Sequence, residues 1–188
     1  MMAYTQRLKL SIYVLAMLCW HVGANAEIPG QESQKSQEIR VFANALKYFS
    51  GIGKGSDSYV VGVIYSPDVT SSRTEAEEYT TEMNRSDSAQ KARLKAKMLP
   101  VAELKNSGVN IVYLGPDLYN LYPEIYPIAK ASNMFVYSHD AECVRQELCP
   151  LSIRIDSTLE IFLSEVAIRD FNFGVDPMLR LMVKRLEK

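Results

Sequence analysis

Short apolar runs bounded by turn-forming residues mark the centre of the chain. Residues 59–65 (YVVGVIY) and 109–114 (VNIVYL) are rich in β-branched and aromatic side chains, and a Pro-Asp pair lies just beyond each of them. This pattern predicts two strands that are buried on both faces. A third strand is predicted at residues 134–137, and the apolar stretches 151–156 and 158–163 are close enough in the chain to pair.

Helical periodicity occurs on both sides of these runs. In residues 36–49 the apolar side chains recur at spacings of three and four, which indicates a helix with one buried face: Ile39, Phe42, Ala43, Leu46 and Phe49. Further helices are predicted at four places: residues 71–83, 117–132, 164–171 and 176–186. Pro123 and Pro127 are expected to break or kink the second of these.

Residues 91–98 alternate strictly between basic and apolar side chains, although each residue type also favours a helix. We interpret this segment as an edge strand, because Lys and Arg on one face protect the edge of a sheet from pairing. A helix is the structural alternative. Contact of the basic face with lipid head groups or with an acidic partner is the functional alternative to edge protection.

Strands and helices alternate through the middle of the chain, which predicts an α/β fold. We expect a single domain with a mainly parallel sheet and helices on both faces, a three-layer sandwich. The length of 188 residues fits one domain. The polar segment 27–35 contains a Pro-Gly pair and is predicted to be a flexible lead-in to a domain that spans residues 36–188.

Residues 1–26 have the features of a secretory signal peptide. Arg7 and Lys9 precede an apolar run at residues 10–20, and Ala24-Asn25-Ala26 fits a cleavage site. The run of about 11 residues is well short of the roughly 20 that span a bilayer. We therefore predict cleavage after Ala26 and export to the periplasm.

Charge and cysteine content then limit the possible functions. The formal net charge of −1 provides no general field for polyphosphate, so nucleic acid is not an expected partner. Without the first 26 residues, the remaining cysteines are Cys143 and Cys149, and the remaining histidine is His139. In an oxidising compartment these two cysteines are expected to form a disulfide. A zinc site is the alternative, but the spacing fits no usual zinc finger and no fourth ligand is evident.

The candidate catalytic motifs do not meet the geometry that their chemistry needs. Ser138-His139-Asp140 has the composition of a triad, but adjacent residues on an extended strand point to opposite faces. The glycine-rich segment 51–56 (GIGKGS) follows a helix and precedes a strand, which is the reverse of the order in a phosphate-binding loop. We therefore predict no catalytic residue, no metal site, no cofactor and no enzymatic activity.

Tyrosines crowd the region between the second and third predicted strands, namely Tyr113, Tyr119, Tyr122, Tyr126 and Tyr137. Some of them must lie near the surface, and amphipathic tyrosines are favoured at protein interfaces. Tyr119, Tyr122 and Tyr126 are accordingly the candidate residues of a partner-binding surface. The sequence leaves the oligomeric state open, including a homodimer.

Four features of the sequence occur together in one known family. They are the opening aromatic helix (IRVFANALKYFSGI), the strands VVGVIY and VNIVYLG, the short loop from Cys143 to Cys149, and the stretch TLEIFLSEVAIRDFNFGVDPMLRLMVKRLE. With them the chain resembles the YfiR/HmsC family of small periplasmic proteins over most of residues 38–188. The apolar face of that family's closing helix corresponds here to Met178, Leu179, Leu181, Met182 and Leu186.

The resemblance implies a periplasmic regulator that is not an enzyme. Such a protein binds the periplasmic portion of an inner-membrane diguanylate cyclase and inhibits it, and an outer-membrane lipoprotein relieves the inhibition by sequestering the regulator. Cyclic di-GMP signalling and biofilm formation would then be controlled from outside the cytoplasm.

The Pro-Asp pairs favour an alternative from another functional class. YVVGVIYSPD and NIVYLGPD each place Pro-Asp at the carboxyl end of a predicted strand, which is where open α/β sheets bind ligands. The alternative is a periplasmic solute-binding module that resembles one lobe of a transporter's receptor.

Overall fold

The computed structural model describes residues 32–53, 55 and 57–185. The predicted signal peptide at residues 1–26 and most of the predicted lead-in at residues 27–35 lie outside the described residues. The fold is therefore described from Glu32 onwards.

The described residues form nine strands, and seven of them make the sheet at the centre of the fold. The strands are β1 (Phe49–Ser50), β2 (Tyr59–Tyr65), β3 (Leu94–Pro100), β4 (Ile111–Leu114), β5 (Phe135–Ser138), β6 (Leu151–Ile155), β7 (Leu159–Leu163), β8 (Gly174–Val175) and β9 (Lys184–Arg185). The main sheet has the order β3-β2-β4-β5-β6-β7-β9, and β1 pairs with β8 separately. Strands β2 to β6 are parallel, β7 is antiparallel to β6, and β9 is parallel to β7. The predicted α/β fold with a mainly parallel sheet is confirmed.

Helices connect the strands. They are α1 (Gln34–Ala45), α2 (Thr70–Arg85), α3 (Asp87–Lys91), α4 (Tyr122–Ala131), α5 (Glu142–Arg145), α6 (Glu165–Asp170) and α7 (Pro177–Met182), with 3₁₀ turns at Leu46–Tyr48, Val101–Asn106 and Tyr119–Leu121. Helix α1 begins two residues before the predicted start at residue 36. The Ser33 side chain accepts a hydrogen bond from the backbone N–H of Ser36 at 3.1 Å. This N-cap satisfies a donor of the first turn and fixes the earlier start.

Helices cover both faces of the sheet. Tyr137 of β5 stacks on Phe42 of α1, whereas the hydroxyl of the next residue, Ser138, lies 3.0 Å from the hydroxyl of Tyr122 in α4. Successive side chains of a strand point to opposite faces. Helices α1 and α4 therefore lie on opposite faces, and the predicted three layers are present.

Strand β3 lies at the edge of the sheet, as predicted for residues 91–98. The strand begins later than predicted, at Leu94, because Lys91 ends α3 and Arg93 makes the turn into the strand. Arg93 has a φ of 57°, in the left-handed region that residues with side chains rarely adopt. The exposed Lys95 and Lys97 then alternate with less exposed residues along the strand.

A side chain covers part of the outer edge of β3. Asn84 of α2 donates a hydrogen bond from Nδ2 to the carbonyl oxygen of Ala96 at 3.0 Å. Its Oδ1 accepts one from the backbone N–H of the same residue at 2.9 Å. Both backbone groups that Ala96 would offer to another strand are therefore occupied. This is a second form of edge protection beside the lysines.

The substitution Asn84→Ala will open this edge. We expect a loss of about 1 kcal/mol in the free energy of unfolding, because two exposed hydrogen bonds are lost, together with self-association at high protein concentration. Guanidinium unfolding and light scattering over a concentration series measure the two effects. The control is Asn44→Ala on α1, which removes an exposed asparagine away from the edge. An Asn84→Ala variant with unchanged stability that stays as monomeric as the control would contradict the assignment.

The end of the chain differs from the prediction of one helix over residues 176–186. Helix α7 ends at Met182, and Lys184–Arg185 pair with β7 as the short strand β9. The physical reason is the free outer edge of β7, whose backbone groups are satisfied by pairing with the chain. The preceding helix α6 agrees with the prediction at residues 164–171, with Ser164 as its N-cap.

Candidate functional site

The order of the strands creates a switch point between β2 and β4. From β2 the chain crosses to β3 on one side, and it then returns past β2 to form β4 on the other side. The connections that follow β2 and β4 therefore leave in opposite directions. In open α/β sheets, ligands bind in the crevice that opens at the carboxyl ends of such strands.

A small crevice lies at this switch point. Its walls come from β2, α2, β4 and the loop after β4, and they include Ser72, Glu75, Tyr113 and Leu118. The crevice is nearly filled by its own side chains and has no room for a water-sized molecule, whereas sites that enclose a small molecule measure about 300–1,000 Å³. The crevice as it stands therefore encloses no solute.

The two Pro-Asp pairs lie at the carboxyl ends of β2 and β4, and both Asp68 and Asp117 are exposed. The first loop is held by Ser72 of α2. Its Oγ accepts a hydrogen bond from the backbone N–H of Ser66 at 2.9 Å and donates one to the carbonyl oxygen of Val69 at 2.7 Å. Hydrogen bonds to α2 therefore set the shape of this side of the crevice.

A buried polar cluster joins α1 and α2 to the end of β5. Glu38 of α1 is 3% exposed, and its Oε2 lies 2.9 Å from Nδ1 of His139. Its Oε1 accepts a hydrogen bond from the hydroxyl of Tyr79 at 3.3 Å, and that hydroxyl lies 3.1 Å from the hydroxyl of Tyr137. Sequence reasoning missed Glu38. The available signal is an acid directly beside Ile39 on the apolar face of the first helix.

Stacked aromatic rings surround this carboxylate. Phe42 stacks on Tyr137 with ring centroids 3.7 Å apart and an interplanar angle of 6°. Tyr79 stacks on Tyr113 at 3.7 Å and 11°. Burial raises the pKa of all three tyrosines well above the usual 10.0. They therefore stay protonated, and their hydroxyls serve as hydrogen-bond donors inside the core.

Glu38 and His139 influence each other's charge. Burial raises the pKa of Glu38, while its hydrogen bond with His139 acts in the opposite direction. The hydrogen bond with Glu38 raises the pKa of His139 above 6.5, and partial burial opposes this shift. The His139 side chain is 30% exposed. It therefore connects the buried carboxylate to solvent at the carboxyl edge of the sheet.

The stability of the fold should decrease as the pH rises through the pKa of folded His139. Because the folded-state pKa lies above the usual 6.5, the stabilisation is fully present below the unfolded-state pKa and is lost above the folded-state one. The raised pKa of Glu38 acts in the same direction, since burial disfavours its ionised form. Urea unfolding from about pH 5 to about pH 9 measures how the free energy of unfolding depends on pH in the wild type and in His139→Gln. The advantage of the wild type should shrink with rising pH, and a constant difference would refute the coupling.

The three candidate interface tyrosines lie in different environments. Tyr119 is 64% exposed, and the partly buried Tyr126 donates a hydrogen bond to Asp170 at 2.9 Å. The prediction that Tyr122 lies on a surface is wrong, because Tyr122 is 1% exposed. It begins α4 on the same face as the buried Ile125 and Ala129. The spacing of three and four between Tyr122, Ile125 and Ala129 is visible in the sequence and indicates that they share a buried face.

A disulfide joins Cys143 and Cys149, as predicted, with their Cα atoms 5.5 Å apart. Both residues are completely buried. Helix α5 forms one turn at the start of the predicted loop, and Asp140, just before its N-cap Ala141, accepts a hydrogen bond from the backbone N–H of Glu142 at 2.8 Å. The disulfide thus fastens the segment between His139 and β6.

The geometry separates the residues of the triad-like sequence. Ser138 bonds to Tyr122 on one face, whereas His139 contacts Glu38 on the other. In the described part of the chain, no three His, Cys, Asp or Glu side chains are placed to hold a metal ion. Over the same residues, no helix combines the length and the apolar character needed to cross a membrane.

Helix α7 exposes apolar side chains. Met178, Leu181 and Met182 are 56%, 79% and 55% exposed, while Leu179 is buried beneath them. Exposed apolar clusters mark interaction surfaces more often than single exposed residues do. Methionine is also favoured where a surface must adapt to a partner.

Neither a protein-family model nor a curated protein sequence matches the chain. Solved structures are nevertheless similar in fold. The ABC domain of Streptococcus pneumonia in complex with L-Trp has a TM-score of 0.60 and 13% identity over 82% of this chain and 60% of that one. A conserved domain protein from Vibrio cholerae has a TM-score of 0.61 and 11% identity over the same shares.

A ligand-free, open substrate-binding protein with adhesive properties from Clostridium difficile has a TM-score of 0.54 and 12% identity over 70% of this chain and 55% of that one. The present chain thus spans less than two thirds of the length of these proteins. At such low identity the likeness concerns the fold alone. The chain has an α/β fold of the kind found in substrate-binding proteins.

Proposed function

We propose that this protein is a periplasmic solute-binding module that resembles one lobe of a transporter's receptor and has no enzymatic activity. The observation that carries this proposal is the crevice at the switch point between β2 and β4, in a fold similar to that of substrate-binding proteins. The disulfide supports an oxidising compartment. Because the crevice as it stands has no room for a water-sized molecule, the solute would lie over its mouth and contact a second surface as well.

Thermal unfolding with a panel of amino acids, including L-Trp, and other small metabolites tests this proposal. A ligand at concentration L that binds the folded state stabilises it by RT ln(1 + L/Kd), so the melting temperature rises with the logarithm of the ligand concentration once this exceeds Kd. The variant Gly115→Leu adds a bulky side chain at the wall of the crevice, and its Cβ is accommodated because the nearest atom, Cγ of Glu75, is 3.6 Å away. We expect it to abolish the ligand-induced shift.

The matched control is Ala131→Leu, which adds the same side chain at the exposed end of α4. This variant should keep the full shift. If no member of the panel raises the melting temperature, or if both variants respond like the wild type, the crevice is not a solute site.

A second candidate function is supported by the exposed apolar side chains of α7. In this proposal the protein binds the periplasmic portion of an inner-membrane diguanylate cyclase and inhibits it, as the resemblance to the YfiR/HmsC family implies. A surface with two methionines and a leucine that are each more than half exposed fits a protein partner better than a small solute. An outer-membrane lipoprotein would compete for the same regulator and so control cyclic di-GMP.

Affinity capture from solubilised membranes separates the two functions. Under the regulatory proposal, the wild type recovers an integral cyclase, and Leu181→Lys on α7 loses it. Leu159→Lys, at another exposed leucine, is the control and retains it. Failure to recover a cyclase, together with a ligand-induced rise in melting temperature, would favour the solute-binding function and reject the regulatory one.

A further inference from the structure

A second cleft lies at the other end of the sheet, where β2 and β3 begin. Residues on its walls include Asn84, Gln90, Arg93, Lys95 and Ala96, and its volume is about 630 Å³. This volume is within the range of about 300–1,000 Å³ that small-molecule sites occupy. The cleft opens at the amino-terminal ends of the strands, so it is separate from the crevice at the switch point.

The two cations on the walls of this cleft form no salt bridge with any residue that the structure describes. Arg93 donates one hydrogen bond, from Nη1 to the carbonyl oxygen of Asp57 at 3.2 Å, and in the described chain neither Arg93 nor Lys95 forms a salt bridge. Six cations elsewhere are each paired with a carboxylate: Lys35, Arg40, Lys130, Arg145, Arg154 and Arg180. No described carboxylate therefore forms a salt bridge with the two cations on the wall of this cleft, although Asp57 lies beside Arg93.

Further cations are adjacent in the sequence to residues that line the cleft. Arg85 and Lys91 are exposed at the ends of α2 and α3, and Lys97 donates to the carbonyl oxygen of Ser107 at 2.6 Å. None of the three forms a salt bridge with a described carboxylate. Lys91 and Lys97 add to the positive field of Arg93 and Lys95, whereas Arg85 lines a different pocket together with Glu82 and Asp87.

Protection of the edge does not by itself explain this arrangement. Asn84 already occupies both backbone groups of Ala96. Arg93 precedes the strand, and its φ of 57° is a conformation in which glycine would be less strained. A guanidinium is nevertheless present at this position, at the wall of an open cleft.

We propose that the cleft binds a phosphate-bearing anion. The guanidinium of Arg93 would contact two phosphate oxygens through its planar set of N–H donors, and the Lys95 ammonium would supply a second charge. Gln90 also lies on the wall; its Nε2 donates to the carbonyl oxygen of Asn84 at 3.5 Å, and its second N–H adds a neutral donor. The Asn84 side chain lines the cleft but is not expected to bind the anion, because its Nδ2 and Oδ1 already form hydrogen bonds with the backbone of Ala96. The ligand is either a soluble phosphate compound or the head group of an anionic phospholipid.

The variants Arg93→Gly and Lys95→Gln test this site. Glycine accepts the left-handed backbone of residue 93, so the first variant removes the charge without straining the fold. Lys47→Gln is the matched control, since it removes an exposed lysine from a different part of the surface. Circular dichroism and melting temperature verify that each variant is folded.

Calorimetry with inorganic phosphate and with glycerol 3-phosphate measures binding of soluble ligands. Sedimentation with vesicles of phosphatidylglycerol, compared with phosphatidylcholine vesicles, measures binding of the head group. We expect saturable binding in at least one assay, with affinity reduced about tenfold by each cleft variant and unchanged in Lys47→Gln. Binding in calorimetry identifies a soluble ligand, and binding to phosphatidylglycerol vesicles alone identifies a lipid.

Two results would overturn the proposal. One is the absence of binding by the wild type both to the soluble phosphate compounds and to the phosphatidylglycerol vesicles. The other is an equal loss of affinity in Lys47→Gln and in the cleft variants, which would indicate attraction by net charge alone. Neither result depends on whether the crevice between β2 and β4 binds a solute.

Discussion

Replacing Phe42 by Ala will lower the free energy of unfolding by about 3–5 kcal/mol. The Phe42 ring is completely buried, and it stacks on Tyr137 with a centroid distance of 3.7 Å and lies 6.4 Å from Phe135. Its removal leaves a cavity between α1 and the sheet that these rigid rings cannot fill. A domain of this kind has a total stability of about 5–15 kcal/mol, so the variant should be close to unfolding at 37 °C.

Guanidinium unfolding followed by tyrosine fluorescence measures this loss. The matched variant is Phe42→Leu, which keeps most of the volume but loses the stacking, and it should cost about 1 kcal/mol. If Phe42→Ala is as stable as Phe42→Leu, the packing of α1 on the sheet differs from that described here.

Removing the carboxylate of Glu38 is expected to cause the second large loss of stability. We expect Glu38→Ala to lower the free energy of unfolding by about 3 kcal/mol, because the hydroxyl of Tyr79 loses its acceptor and His139 loses its anionic partner. Glu38→Gln keeps an acceptor oxygen and similar volume, so it should lose less.

The two Glu38 variants also differ in a way that a loss of packing would not produce. In both of them the pKa of His139 should fall towards its usual value, because the hydrogen bond and charge of Glu38 raise it in the wild type. Titration of the imidazole by NMR measures the pKa of His139 in the wild type and in the two variants. An unchanged pKa of His139 in Glu38→Gln would show that the carboxylate does not control it.

The strands of the sheet are the part of the fold that the sequence predicts best. Residues 59–65 and 109–114 are apolar without alternation, because α1 and α2 on one face and α4 on the other exclude water from both. Strand β3, in contrast, is recognisable because basic and apolar residues alternate along it. It lies at the edge of the sheet, where Lys95 and Lys97 can reach solvent.

The end of the chain could not be predicted from local pattern. Residues 176–186 have helical periodicity, but α7 ends at Met182 because the open edge of β7 pairs with Lys184–Arg185. This pairing depends on where β7 lies in the finished sheet. A local preference for helix is a weak force compared with such tertiary contacts.

The candidate site was predicted in part. The Pro-Asp pairs lie at the carboxyl edge as expected, because strands that run in parallel end at one edge. The cluster of Glu38 and His139 was missed, since the two residues are 101 positions apart and only the crossing of β5 beneath α1 brings them together. Tyr122 was placed on a surface because composition alone does not say which face of α4 it occupies.

The small sheet of β1 and β8 makes the two ends of the domain depend on each other. Phe49 pairs with Val175, and the backbone N–H of Asp176 donates to the carbonyl oxygen of Tyr48 at 2.8 Å. The parallel strands β2 to β6 need only the chain up to Ile155, but β1 has no strand partner until β8 is in place. Contacts between residues so distant in sequence form slowly, because a long loop must be closed. The final step of folding is therefore expected to be the closure of the chain's last segment onto its first helix.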